Sequence, residues 1–163
     1  MLDATDLRIL RALQRDPEGS VESIGRAAGL SHTPCWRRIR RMQAEGVIGD
    51  RRYRINERAV GLLVTVLTMV KLGRQDEDSL EAFEQAANAM PEIMECYLVT
   101  GRYDFVLTIL TRDTESFETL VKTKLSRLPH VAELNSTVVL RKSKSGSPLP
   151  PVSYTHLTLP TKA

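Results

Sequence analysis

A chain of 163 residues, 42% hydrophobic and 26% charged, has the composition of an ordinary folded protein and the length of one or two small domains. Its net charge of +3 is unevenly spread: residues 1–60 hold 12 Arg and no Lys against 8 acids, whereas residues 61–142 hold 9 bases against 12 acids, the asymmetry expected when one module meets a polyanion and the other does not. Membrane spanning, export and a disulfide framework are all disfavoured: no apolar run reaches roughly 18 residues, the opening Met-Leu-Asp-Ala-Thr-Asp is acidic where a secretory leader is basic, and Cys35 and Cys96 are the only cysteines.

Taken in chain order, a helix is expected from Thr5 to Arg15, with Leu7, Leu10 and Leu13 as its apolar stripe and Pro17 and Gly19 as its stop. Ser20 is placed to cap a short helix through Ala28, with Val21, Ile24, Ala27 and Ala28 inward and Gly29 at its C-terminal end. Ser31 is then expected to cap a third helix that carries Pro34 in its first turn and runs to Gly46. Two helices, a glycine turn and a basic helix form a helix-turn-helix pattern. Residues 1–50 read as this module, Gly46–Asn56 as a short extended wing or hinge, and 51–60 as the linker. Periodicity then changes. Val60–Leu72 reads as a strand, and Asp78–Met90 as an amphipathic helix with Leu80, Phe83, Ala87 and Met90 on one face. Ile93–Thr100 and Tyr103–Thr111 read as strands joined by Gly101-Arg102, Thr114–Leu128 as a helix and Val131–Leu140 as a last strand. The fold class is therefore α+β, with an N-terminal winged helix-turn-helix and a C-terminal βαββαβ ferredoxin-like sandwich over 61–142. Such a sandwich leaves one apolar sheet face for a second subunit to cover. Residues 143–163 read as a flexible tail; from 152 onward it has no usable pattern and is set aside as partly non-native.

The third helix carries the chemistry. With about 100° per residue, Cys35, Ile39 and Met42 share an inward stripe, and Thr33, Pro34, Arg37, Arg40 and Arg41 face outward with Arg38 on the flank. A major groove admits one helix and is read by that helix's N-terminal residues, so Thr33, Pro34 and Arg37 are expected at base edges. Ser31, Arg38, Arg40 and Arg41 are expected at phosphates, on the view that no acid four residues on pairs these arginines. Trp36, half inward, reads as a packing residue, and both cysteines as small buried hydrophobes. The expected partner is double-stranded DNA.

The segment Leu30-Ser31-His32-Thr33-Pro34-Cys35-Trp36-Arg37-Arg38-Ile39-Arg40-Arg41-Met42 resembles the recognition helix of the leucine-responsive regulator/asparagine regulator (Lrp/AsnC, feast/famine) family of transcription factors. The resemblance runs to about Lys142 and includes the opening Leu-Asp-x-x-Asp-x-x-Ile-Leu, Gly46-Val47-Ile48 and Val99-Thr100-Gly101-Arg102-Tyr103-Asp104. It implies a regulator whose DNA binding or assembly responds to an amino acid or related metabolite, built as homodimers that assemble further, as far as octamers, and located in the cytoplasm on the nucleoid. It also implies an effector site between sensing domains at Leu98, Thr100, Gly101, Tyr103, Asp104, Ser136 and Val138. Gly101 lets a ligand approach bare backbone, and Asp104 is a candidate acceptor for an α-ammonium group; both residues equally suit a simple hairpin turn. Two departures from the family stand out, Gly49-Asp50-Arg51-Arg52-Tyr53 after the hinge glycine and Lys124, the second bearing on effector identity.

No enzyme chemistry is expected. His32, His130 and His156 lie on separate segments without metal-ligand spacing, and His32 with Cys35, one turn apart, lacks the pocket and oxyanion site of a catalytic dyad. No metal or cofactor is implied. The rival readings are a βαββαβ metabolite-binding enzyme or enzyme regulatory domain with an incidental basic N-terminus, and an architectural protein that compacts DNA without sensing.

Overall fold

The structure, a computed structural model, describes residues 2–50 and 53–149, which divide into two compact units. Residues 2–50 with 144–149 belong to one unit and 53–143 to the other.

The first unit contains α1 (Ala4–Arg15), α2 (Val21–Ala28) and α3 (His32–Ala44). A capping box starts α1: the Asp3 side chain accepts from the backbone amides of Thr5 and Asp6, and Asp6 reaches back to the Asp3 amide. Ser20 caps α2 through the Ser23 amide, and Gly29 ends it with φ +73°. Ser31 occupies the cap position of α3 but makes no side-chain capping bond, so its expected capping role is not filled. The core consists of Ile9, Ala12, Ile24, Ala28, Cys35 and Met42. Leu7, Leu10 and Leu13, the expected stripe of α1, are only half-buried, because the buried face runs through Asp6, Ile9 and Ala12. Ala27 is exposed, not inward.

One glycine sets the spacing of the helix pair. A Cβ on Gly25 would lie 3.0 Å from the Leu30 carbonyl oxygen and 3.2 Å from Cys35 Cβ, so the absence of a side chain is what lets α2 and α3 approach. After α3 the amides of Val47 and Ile48 both donate to the Met42 carbonyl. The described residues from Gly46 to Asn56 contain no strand, and Arg51 and Arg52 of the expected hinge lie outside the described residues.

The second unit is an antiparallel sheet of β1 (Val64–Leu72), β2 (Ile93–Leu98), β3 (Phe105–Thr111) and β4 (Val131–Val138) in the order β2-β3-β1-β4, with α4 (Glu77–Asn88) and α5 (Thr114–Thr123). This is the βαββαβ arrangement, and the protein is α+β. Val66, Val70, Leu72, Phe83, Ala87, Phe105, Leu107, Ile109, Leu120 and Leu125 form its core, with the Phe83 and Phe105 rings 4.5 Å apart. Asp76 and Asp113 cap α4 and α5. β1 begins later than its apolar pattern suggests because a single 3-10 turn, Arg58–Val60, and Gly61 at φ +84° precede it. Likewise α5 stops at Thr123 and gives way to a 3-10 turn at Leu125–Arg127. The β2–β3 connection is longer than a two-residue hairpin. The strands end at Leu98 and resume at Phe105, and the Val99 amide donates to the Asp104 carbonyl.

Alternation along β1 buries Val66, Thr68, Val70 and Leu72, so Leu67 and Met69 point to the opposite face. Register extends that face into two cross-strand rows, Tyr97–Val106–Met69–Asn135 and Glu95–Thr108–Leu67–Thr137.

No helix among the described residues is long and apolar enough to cross a membrane.

Candidate nucleic-acid interface and ligand site

Cys35 and Met42 are wholly buried beneath α3, and Ile39 packs beside them. Burial pushes the Cys35 thiol pKa up, which removes it further from nucleophilic chemistry. Ser31, Thr33, Arg37, Arg40 and Arg41 are exposed, with Pro34 and Arg38 half-buried. Trp36 is 47% exposed, and its ring lies under Arg40, whose guanidinium carbon stands 5.6 Å from the ring centroid.

The four arginines fall into two pairs. Arg37 makes no hydrogen bond or ion pair among the described residues, and Arg40 has only the Trp36 face. Arg38 and Arg41 are bound to acids. Arg38 Nη1 lies 2.6 Å from Asp3 Oδ2 and 2.8 Å from Asp6 Oδ1, and Arg41 Nη2 lies 2.5 Å from Asp6 Oδ2. Glu45, four residues beyond Arg41, stands 3.8 Å from its Nε. The expectation that these arginines lack acidic partners therefore fails. Two of the acids are thirty or more positions away in sequence, and the third, Glu45, sits at the helical i+4 spacing that the sequence reading passed over.

Asp6 has no exposed side-chain surface. Burial by itself raises its pKa, but the Asp3 amide and the two guanidinium groups outweigh that and hold the carboxyl below its ordinary value. Asp3, hydrogen-bonded to Arg38 and to the start of α1, is held down to about 2.

In the second unit the residues expected to hold an effector are distributed over the sheet. Gly101 adopts φ +118°, a conformation that side chains rarely tolerate. Thr100 and Gly101 are exposed at the loop, and Leu98 is exposed at the end of β2. The Tyr103 hydroxyl donates to Glu133 Oε1 at 3.1 Å, beside Arg102 Nη2 at 3.2 Å from the same oxygen. Ser136 and Thr68 hydroxyls are 2.9 Å apart across β1 and β4, and Val138 is exposed further along β4. Leu98 thus sits on one edge strand while Ser136 and Val138 sit on the other, three strand spacings or about 14 Å away. Tyr103, by contrast, reaches β4 through Glu133.

Asp104 is buried, and three donors within the chain already reach its carboxylate. Its Oδ2 accepts from the Leu72 amide at 2.7 Å, and its Oδ1 from Gln75 Nε2 at 2.6 Å and Lys71 Nζ at 3.3 Å. Burial raises its pKa, but these three donors prevail and the net shift is downward. The carboxylate expected to accept from an ammonium group thus also ties the β2–β3 loop to the end of β1. Lys124 pairs with Glu92 at 2.6 Å. Both line a cavity of about 650 Å³ beside α5, which shares no residue with the expected effector positions.

Sequence reading missed Asp3, Asp6, Lys71, Gln75 and Glu133. For the first two a signal existed, since an Asp-x-x-Asp at a helix start places two acids on one turn; which distant arginines they meet is a tertiary fact.

A helix-turn-helix with an exposed arginine face, in one chain with a βαββαβ unit, defines a transcription regulator with separate DNA-binding and ligand-binding parts. Residues 2–43 match the AsnC-type helix-turn-helix domain and residues 65–149 the Lrp/AsnC ligand binding domain. The chain is 36% identical over 143 residues to the leucine-responsive regulatory protein of Haemophilus influenzae, covering 88% of this chain and 86% of that one. It is 35% identical over 140 residues to the proline dehydrogenase transcriptional activator of Rhodobacter capsulatus, covering 86% and 91%. A transcriptional regulator from Neisseria meningitidis, crystallised with L-Met, superposes with a TM-score of 0.84 at 27% identity over 92% of this chain and 97% of that one. The chain belongs to the Lrp/AsnC family of transcription regulators.

Proposed function

We propose that this regulator reads duplex DNA with the exposed N-terminal half of α3 and changes its DNA binding or assembly when an amino acid binds its second unit. The carrying observation is that Ser31, Thr33 and Arg37 stand exposed without side-chain partners among the described residues, on a helix anchored from below by Cys35 and Met42. Thr33, Pro34 and Arg37 lie where a recognition helix meets base edges. Ser31 and Arg40 are assigned to phosphates.

For the effector, Leu98 on β2, Thr100, Gly101, Tyr103 and Asp104 in the β2–β3 connection, and Ser136 and Val138 on β4 are assigned as contacts, Asp104 also positioning the loop. The separation of Leu98 from Ser136 and Val138 across one sheet favours a site completed by a second chain, so the working unit is a homodimer or a larger homo-oligomer such as an octamer. The half-apolar open face of the sheet supports the same reading, as does the resemblance to a regulator named as leucine-responsive, to one named as the activator of proline dehydrogenase and to one crystallised with L-Met. The protein acts in the cytoplasm, on the nucleoid, and not as an enzyme.

Fluorescence anisotropy with a mixed-sequence duplex at low salt, combined with a thermal-shift screen against the amino acids, tests the reading. Binding to DNA and a rise in Tm with at least one amino acid are expected. No DNA binding at low ionic strength would remove the DNA assignment, and no Tm response to any amino acid would remove the effector.

A further inference from the structure

The basic face of α3 is smaller than its arginine content suggests. We infer that Asp3 and Asp6 mask Arg38 and Arg41 from DNA phosphates, making these two acids specificity-determining positions of the DNA-binding unit. The inference rests on the DNA-binding reading above.

Each guanidinium is held through one terminal nitrogen and keeps part of its surface open, with Arg38 30% and Arg41 42% exposed, so the mask acts by charge neutralisation and not by burial. Asp6 places Oδ1 on Arg38 and Oδ2 on both Arg41 and the Asp3 amide. Asp3 places Oδ2 on Arg38 and spends Oδ1 on the Thr5 and Asp6 amides. A phosphate that drew both guanidinium groups away would leave the wholly buried Asp6 carboxylate in a low-dielectric site without its cations, which is strongly unfavourable. A phosphate that merely approached them would meet cations already neutralised by two carboxylates. Both acids titrate below their ordinary values, so both carboxylates are charged at neutral pH. What remains for the duplex is Arg37, without a partner among the described residues, and Arg40, held against Trp36.

Masking matters because non-specific DNA affinity is set by the number of phosphates neutralised, each contributing about −0.9 to the slope of log K against log salt. Cations withheld from phosphates lower binding to arbitrary sequence and leave base contacts untouched, which widens the gap between operator and bulk DNA. The same bonds brace α3 against the start of α1, so its presentation to the groove is held by charge as well as by packing.

The test is a salt titration of the full chain on a mixed-sequence duplex. Arg38→Gln and Arg41→Gln are expected to leave the wild-type slope unchanged. Asp3→Asn retains a good helix cap and loosens Arg38; it is expected to tighten binding several-fold and steepen the slope by up to about 0.9. Glu18→Gln, an exposed acid of the same unit, changes net charge equally and is expected to do much less. Arg38→Gln added to Asp3→Asn is expected to abolish the gain. The mask is refuted if either arginine variant flattens the slope by about 0.9, or if Asp3→Asn gains no more than Glu18→Gln. Should the wild type itself fail to bind, the DNA-binding reading falls first and this inference with it; a wild type that binds with unmasked slopes sinks the inference alone.

Discussion

Arg37 and Asp104 show how differently two charged side chains earn their place. Arg37 is exposed and unpaired among the described residues, so its five donors are available to a guanine edge. Arg37→Ala should cost about 1–3 kcal/mol of discrimination, read as a reduced ratio of operator to mixed-sequence affinity. Asp104, by contrast, faces inward and satisfies the Leu72 amide, Gln75 and Lys71. Asp104→Ala should lower stability by about 1–3 kcal/mol at pH 7 by leaving the buried Leu72 amide unpaired, measured by urea unfolding. The pH dependence has a definite sign. Folding depresses the Asp104 pKa, so its contribution is full well above an unfolded value near ~3.9 and is lost as pH falls through the folded value. The gap between wild type and Asp104→Ala should therefore narrow as pH is lowered below about 4, and a gap that stays constant to pH 2 would contradict the assignment.

At the scale of elements, α2 and α3 depend on a missing methyl group. Gly25→Ala would press a Cβ against the Leu30 carbonyl and Cys35, neither of which is the free end of a flexible chain. The expected cost is about 1–3 kcal/mol, seen as a lower midpoint in thermal unfolding, with weaker DNA binding because α3 is displaced. Much of this element was legible beforehand. The inward set Cys35, Ile39 and Met42 follows from spacing alone, and so does the exposure of Arg37. Ala27 was misplaced because alanine suits either face of a helix and reports little about burial. Of the apolar stripe Leu7, Leu10 and Leu13, the last two pack against the edge of the core, whereas the fully buried face of α1 holds the ion-paired Asp6, which hydrophobicity does not mark. In the second unit, the Val60 start of β1 failed because β-branched content does not reveal a 3-10 turn or the positive φ of Gly61.

For the whole molecule, the open sheet face is the feature that a single chain leaves unfinished. Leu67 is 39% and Tyr97 50% exposed, with Met69 and Val106 between them in register. Leu67→Glu should shift the protein toward monomer in size-exclusion chromatography with light scattering, since a buried unpaired carboxylate at a subunit contact is unfavourable. An unchanged mass would place the homo-oligomer contact elsewhere.

Local pattern was enough to establish two modules, their α+β class, the strand and helix order and an arginine-rich third helix, because periodicity of side chains and the chemistry of caps and turns act over a few residues. Pairing across the fold was not available from pattern: that Arg38 and Arg41 belong to Asp3 and Asp6, that Asp104 belongs to Leu72, Lys71 and Gln75, and that Leu98 and Ser136 stand on opposite sheet edges. Those facts depend on which distant segments meet. A charge's availability is set by the partner it meets in space, which its neighbours in the chain do not specify.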